Sequence, residues 1–150
     1  MTTIYDVPAD LLIKRIAEDL KQKPECAPPE WAPFVKTAVY KEKAPADPEW
    51  WHVRQAAILR KIYIQGPIGI ERLRGLFSGP KNRGSKPNKT FPSSGSIVRK
   101  AIQQLEALEY VKAVKGKGRE ITPKGRKLMD NNAHLVIQEI ITTHPELGKY

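Results

Sequence analysis

One cysteine, Cys26, is all the chain holds. A lone thiol closes no internal disulfide, which excludes a disulfide-stapled scaffold and fits a reducing compartment. No stretch approaches the roughly 18 consecutive apolar residues of a membrane-spanning helix, so no membrane partner is expected. Residues 1–6, Met-Thr-Thr-Ile-Tyr-Asp, lack the basic and apolar regions of a secretory signal. The three histidines, His52, His134 and His144, form no metal-ligand spacing with Cys26. Gly-Lys-Gly-Arg at 116–119 lacks the spaced glycines and Lys-Ser/Thr pair of a phosphate loop. Carboxylates are scattered, and no Ser/His/Asp or Cys/His set is apparent. Catalysis, a cofactor and a metal site are therefore not expected.

The most informative scarcity is of acid in one region. Residues 78–127 hold 13 Lys/Arg against 3 Glu, which is the entire net charge of +10. The other 100 residues hold 13 basic and 13 acidic side chains and are neutral as a set. A neutral body with one strongly basic segment is the electrostatic footprint of a polyanion binder, nucleic acid above all.

With 150 residues and 40% hydrophobic content the chain can bury a core without staples, and one domain over 1–150 is expected. Leu12, Ile16 and Leu20 recur at helical spacing and predict a first helix over 7–22, with Pro8 at its first position. Prolines break 24–29. A short helix over 30–37 should turn Trp31 and Phe34 inward. Asp47 and Pro48 predict the start of a long helix ending near Gln65–Gly66. It carries two apolar faces, Trp51, Ile58, Leu59, Ile62 and Trp50, Val53, Ala57, Ile64, so it should be central. Its polar strip is basic: Arg54 and Lys61 near Trp50, Arg60 further round.

A short helix over 70–77 follows, then residues 78–92, read as a long basic loop carrying Lys81, Arg83, Lys86 and Lys89 and no acid. The next helix opens at Ser93 or Ser94 and shows Ile97, Ala101, Leu105 and Leu108 on one side, Arg99, Lys100, Gln103 and Gln104 on the other. A hairpin over 110–122 with a Lys115-Gly-Lys117-Gly-Arg119 tip leads to a Thr122 cap, Pro123 and a last helix. Leu128, Leu135, Val136 and Ile140 should form its inner face, Asn131-Asn132 a weak point, and the tail 145–150 should fray. This order predicts a mainly α fold: a winged helix-turn-helix with extra N-terminal helices and a two-stranded β-hairpin wing.

Phosphate contact is expected of Lys81, Arg83, Lys86 and Lys89 in the loop, Arg99 and Lys100 on the helix, and Lys115, Lys117 and Arg119 in the wing. Arg54 and Arg60 have two readings, surface arginines packed on Trp50 or paired with a carboxylate, or RNA ligands. Trp51 reads as core, while Trp50 is either core or a stacking platform. Phe91 is expected to pack on the body rather than stack on a base. A DNA-reading helix-turn-helix uses a turn of three or four residues where this chain has fifteen. The long basic segment suits an irregular RNA surface better. The competing reading is a DNA-binding transcription regulator that uses Arg99, Lys100, Gln103 and Gln104 and dimerises through its terminal helices. A third is a protein–protein adaptor. No apolar stripe beyond core packing stands out, so a monomer is expected when free.

Several phrases together resemble the small-subunit ribosomal protein family of archaea and eukaryotes called S-nineteen-e. They are Glu49-Trp50-Trp51-x-x-Arg54-x-Ala56, Arg60-x-x-Tyr63-Ile64-x-Gly66-x-x-Gly69-Ile70, and Asn82-Arg83-Gly84. Val98-Arg99-x-Ala101-x-Gln103-x-Leu105-Glu106-x-Leu108 and Gly118-Arg119-x-Ile121-Thr122-Pro123-x-Gly125 complete the set. The resemblance runs from about residue 4 to 140. It implies a structural protein of the small-subunit head, cytoplasmic and ribosome-associated, bound to ribosomal RNA and to other small-subunit proteins, and active in subunit maturation. It also marks the Trp50, Arg54, Arg60 helix and the Arg99 region as functionally sensitive.

Overall fold

The computed structural model describes residues 1–149. Among these residues, five helices and two hairpins make the fold, with three short 3-10 turns before the second helix and one after the last. Helix α1 (Ala9–Lys21) buries Leu12, Ile16, Ala17 and Leu20, the stripe its periodicity announces. It starts two residues later than expected because Pro8, with ψ of 135°, stands outside the helix as its N-cap.

Helix α2 (Trp50–Gln65) is the centre. It packs against α1 on one side and against α4 (Gly95–Ala107) and the wing on the other. Trp51, Ile58, Leu59 and Ile62 are buried, while Trp50, Val53 and Ile64 are half-buried against the same core. Asp47 does not cap α2 directly. Its Oδ1 accepts the Glu49 N–H at 2.9 Å, and Glu49 holds the N-cap position. Asp47 and Pro48 thus form the turn that precedes the helix.

Trp51 ties the layers together. Its ring meets Trp31 and Trp50 near-perpendicularly, at 5.8 Å and 5.5 Å between centroids. Its indole N–H donates to Gln104 Oε1 at 2.9 Å. The helix expected over 30–37 contracts to a 3-10 turn, Ala32–Phe34. Trp31 still packs on the core, but Phe34 is 86% exposed, against expectation. The chain turns extended at Val35, so no full helical turn brings Phe34 back to the face Trp31 uses.

Helix α3 (Ile70–Leu76) leads into the largest departure from the sequence reading. Residues 78–92 are not a loop. Strands β1 (Gly79–Arg83) and β2 (Lys86–Phe91) pair antiparallel, Gly79 with Phe91 and Arg83 with Lys86, with a bulge between Lys81 and Arg83. Neither strand has the apolar alternation that marks a half-buried strand, since neither buries a face. Local bonds hold it instead. Asn82 Oδ1 accepts the Gly84 N–H at 3.0 Å, Gly84 takes φ +74°, and the Arg83 guanidinium donates twice to Pro87 O. At the base, Tyr40 Oη donates to Phe77 O at 2.6 Å.

Helix α4 buries Ile97, Val98, Ala101, Ile102 and Leu105. It ends with Glu109 at φ +61°, where Tyr110 N–H donates to Leu105 O and Glu109 N–H to Glu106 O. The wing is β3 (Val111–Val114) with β4 (Gly118–Ile121). Ile68 adds a one-residue third strand through two backbone bonds with Arg119, at 2.9 and 2.8 Å. A Cβ on Gly118 would stand 2.4 Å from the Ile68 carbonyl, and its φ of +103° suits glycine alone.

Helix α5 (Pro123–Thr143) opens as read, with Thr122 Oγ1 accepting the Gly125 N–H at 3.1 Å. Its inner face is Met129, Asn132, Ala133 and Val136, whereas Leu135 is exposed. The helix runs unbroken through Asn131-Asn132. Asn132 is buried and donates to Asp19 Oδ2 and Leu128 O, which ties α5 to α1. Where fraying was expected, Pro145–Lys149 forms a 3-10 turn; Tyr150 of that tail lies outside the described residues.

Candidate nucleic-acid interface

The basic third of the chain builds the two hairpins and the helix between them. Hairpin β1–β2 enters α4 at its N-terminus, and hairpin β3–β4 leaves from its C-terminus. A 13-residue helix spans about 20 Å, so the two hairpins are attached about 20 Å apart.

The three acids of residues 78–127 are all engaged locally. Glu106 meets Arg119 at 2.7 Å, Glu120 meets Lys112 at 3.7 Å, and Glu109 meets Lys124 at 3.4 Å. Lys81, Arg83, Lys86, Lys89, Arg99, Lys100, Lys115 and Lys117 have no carboxylate partner among the described residues. Seven of the eight are exposed, and Lys81 is half-buried. Their charge is held apart from internal compensation and faces water, the condition for exchanging counterions against phosphates.

The individual positions differ. The ammonium groups of Lys81 and Lys89 sit over the Phe91 ring at 5.6 and 5.8 Å. Phe91 is half-buried and is the ring on which both lysines rest. Arg83 is pinned to the Pro87 carbonyl at the hairpin tip, which fixes its direction. Lys86 is free of such bonds among the described residues. Arg99 makes a long bond to Ser96 Oγ at 3.4 Å, and Lys100 lies beside it on the exposed side of α4. Lys115 and Lys117 occupy the wing turn, which Lys117 N–H closes onto Val114 O.

Arg119, also expected to contact phosphate, has a carboxylate partner. Its guanidinium pairs with Glu106, and its backbone pairs with Ile68. This half-buried pair docks the wing on α4.

Helix α2 supplies Trp50, Arg54, Arg60 and Lys61, all half-buried. Arg54 and Lys61 share one stripe, seven residues apart, while Arg60 lies about 120° round the axis from Arg54. The Arg54 guanidinium lies over the Phe77 ring, 4.4 Å from its centroid. Arg54 Nη1 and Arg60 Nε are buried without a hydrogen-bond partner among the described residues. Burial lowers the Arg54 pKa from its ordinary value, with Tyr40 a smaller opposing influence. Neither arginine packs on a carboxylate, so half of the mundane reading falls away.

Lys41, Lys43 and Phe77 line the cavity that Trp50 and Arg54 share, and sequence reasoning missed all three. Glu42 and Asp47 mask the two lysines in any charge count, and Phe77 reads as the core face of a short helix. The DNA-reading alternative loses a member as well. Gln104 Oε1 accepts from Trp51 and Gln55, and its Nε2 donates to Ala27 O at 2.8 Å, so the side chain is spent inside the protein.

No cluster of His, Cys, Asp or Glu among the described residues has the arrangement of a metal site. No helix there is long and apolar enough to cross a membrane. What the fold and this surface define is a mainly α winged-helix protein with a solvent-facing basic side. The family model for Ribosomal protein S19e matches residues 3–139. Relatives span almost the whole chain. The small ribosomal subunit protein eS19 of Aeropyrum pernix is 48% identical, covering 100% of this chain and 99% of its own length. That of Thermoplasma acidophilum is 38% identical with the same coverage. The small ribosomal subunit protein eS19G of Ascaris suum is 40% identical over 88% of this chain and 90% of its own. The chain belongs to the Ribosomal protein S19e family. It is therefore a ribosomal structural protein and not an enzyme.

Proposed function

We propose that this chain is a component of the small ribosomal subunit in the cytoplasm, binds ribosomal RNA through the side formed by the two hairpins and α4, and assists maturation of the subunit. The observation that carries the reading is the pairing pattern. Every acid of the basic third is used locally, which leaves ten of its 13 cations without a carboxylate partner among the described residues, eight of them on the two hairpins and α4. Such an array contacts phosphates and reads shape, with little direct base code. Lys81, Arg83, Lys86 and Lys89 on the first hairpin, Arg99 and Lys100 on α4, and Lys115 and Lys117 on the wing are the phosphate ligands. Trp50, Arg54, Arg60 and Lys61 of α2 supply a second, partly apolar contact. Arg119 acts by holding the wing. The rest of the neutral body is free to meet other small-subunit proteins, and the chain is one domain and a monomer before assembly.

Co-sedimentation of the tagged chain in a low-salt lysate gradient tests this. It should travel with small ribosomal subunits and leave them only at high salt. A free dimer at the top of the gradient that retards duplex DNA would overturn it.

A further inference from the structure

A cavity of about 530 Å³ lies between the N-terminal half of α2, the segment 37–47 and the end of α3. That is within the range of about 300–1,000 Å³ that small-molecule sites occupy. Its walls are unlike the rest of the basic surface. Trp50 and Phe77 give it aromatic area, Lys41 and Lys43 stand at it, and Arg54 lines it.

Arg54 is the unusual member. Its guanidinium is held flat against Phe77, one of its nitrogens is buried without a partner, and no carboxylate lies within ion-pair range among the described residues. A desolvated cation normally has an anion beside it. The single acid lining the cavity is Asp47, whose Oδ1 is occupied by the Glu49 N–H and which pairs with none of the three cations. Trp50 is meanwhile fixed by its near-perpendicular packing on Trp51, and the ring still lines the cavity. A preset aromatic plane next to an uncompensated guanidinium and two lysines matches a planar base joined to a phosphate.

We propose that this cavity receives one unpaired nucleotide of the bound RNA, its base stacked on Trp50 and its phosphate held by Arg54, Lys41 and Lys43. The proposal rests on the RNA-binding reading and adds a feature that reading does not need. The hairpins and α4 hold phosphates of any suitably shaped RNA, whereas this cavity selects RNA with a base out of the stack. A base already unpaired enters at little cost, and stacking on one aromatic ring is worth roughly a ten- to hundredfold gain in affinity.

The test compares two RNA stems of the same sequence, one fully paired and one carrying a single bulged 2-aminopurine, bound to the full chain. The bulged stem should bind at least about tenfold tighter, with its 2-aminopurine emission quenched. Trp50→Ala should abolish both the preference and the quenching, and a preference that survives it would overturn the proposal. The double variant Lys41→Gln, Lys43→Gln changes only exposed loop side chains and keeps the fold; it should reduce the preference several-fold. Equal binding of the two stems, without quenching and with the usual salt dependence, would overturn the cavity proposal and leave the RNA-binding reading standing. Failure to bind either stem at low salt would overturn both.

Discussion

The helical body and the β1–β2 hairpin are held in shape by opposite means. The body is fixed by burial: Trp51, Leu59, Ile62, Leu73 and Leu105 lose essentially all contact with water. The hairpin buries almost nothing, and its strands are exposed except at the base and at Lys81. Its form comes from ladder bonds, the Arg83–Pro87 clasp, the Gly84 turn and two lysines over Phe91. Where function needs charge facing outward, hydrophobic burial is not available as glue, and short-range polar bonds replace it. A side chain removed from the body should therefore cost stability and spare binding per folded molecule. A side chain removed from the hairpin should do the reverse.

The sharpest way to break that division is Trp51→Ala. It removes a buried indole and leaves Gln104 without one of its donors, and should cost about 3–5 kcal/mol in denaturant unfolding. A loss under about 1 kcal/mol would mean the central packing is not what holds the body. Gly118→Ala probes the seam between body and wing. The strained φ and the clash with the Ile68 carbonyl should cost about 2–3 kcal/mol and speed exchange of the Arg119 amide. Thr122→Ala removes the α5 cap and should cost about 1 kcal/mol in the same unfolding assay.

Glu109→Gly runs the other way. A non-glycine residue in the left-handed region at the end of α4 stores about 1 kcal/mol, so glycine there should raise the unfolding midpoint slightly. Cys26 gives a pH test of the body. Burial, with help from Glu25, pushes its thiol up from 9.0 to about 11. The unfolded thiol thus ionises first, and its contribution to stability, intact below pH 9, is lost as pH rises towards 11. Cys26→Ala should flatten that decline, and the native thiol should resist alkylation at pH 8.5.

The same division explains what could be read in advance. Helices α1, α4 and α5 and the wing were legible because burial writes a period into the sequence, as Leu12, Ile16 and Leu20 do. The hairpin at 78–92 was not, because Lys, Asn and Thr on two exposed faces carry no period. Phe34 misled because its character is apolar while the chain turns extended after it. The basic positions were visible as charge, but charge does not say which cations are engaged. Arg119 carries the same charge as Arg99, and only geometry separates the one paired with Glu106 from the one left free. The Lys41, Lys43 and Arg54 grouping arises across two segments and leaves no local motif.

The most direct measurement is the salt dependence of binding to small-subunit ribosomal RNA, compared between the native chain and the variant with Lys81, Arg83, Lys86 and Lys89 all changed to Gln. If the hairpin holds phosphates, the slope of log Kd against log salt should flatten by about 3 while the body keeps its unfolding midpoint. An unchanged slope, with the variant binding as the native chain does, would contradict the assignment of that hairpin to RNA.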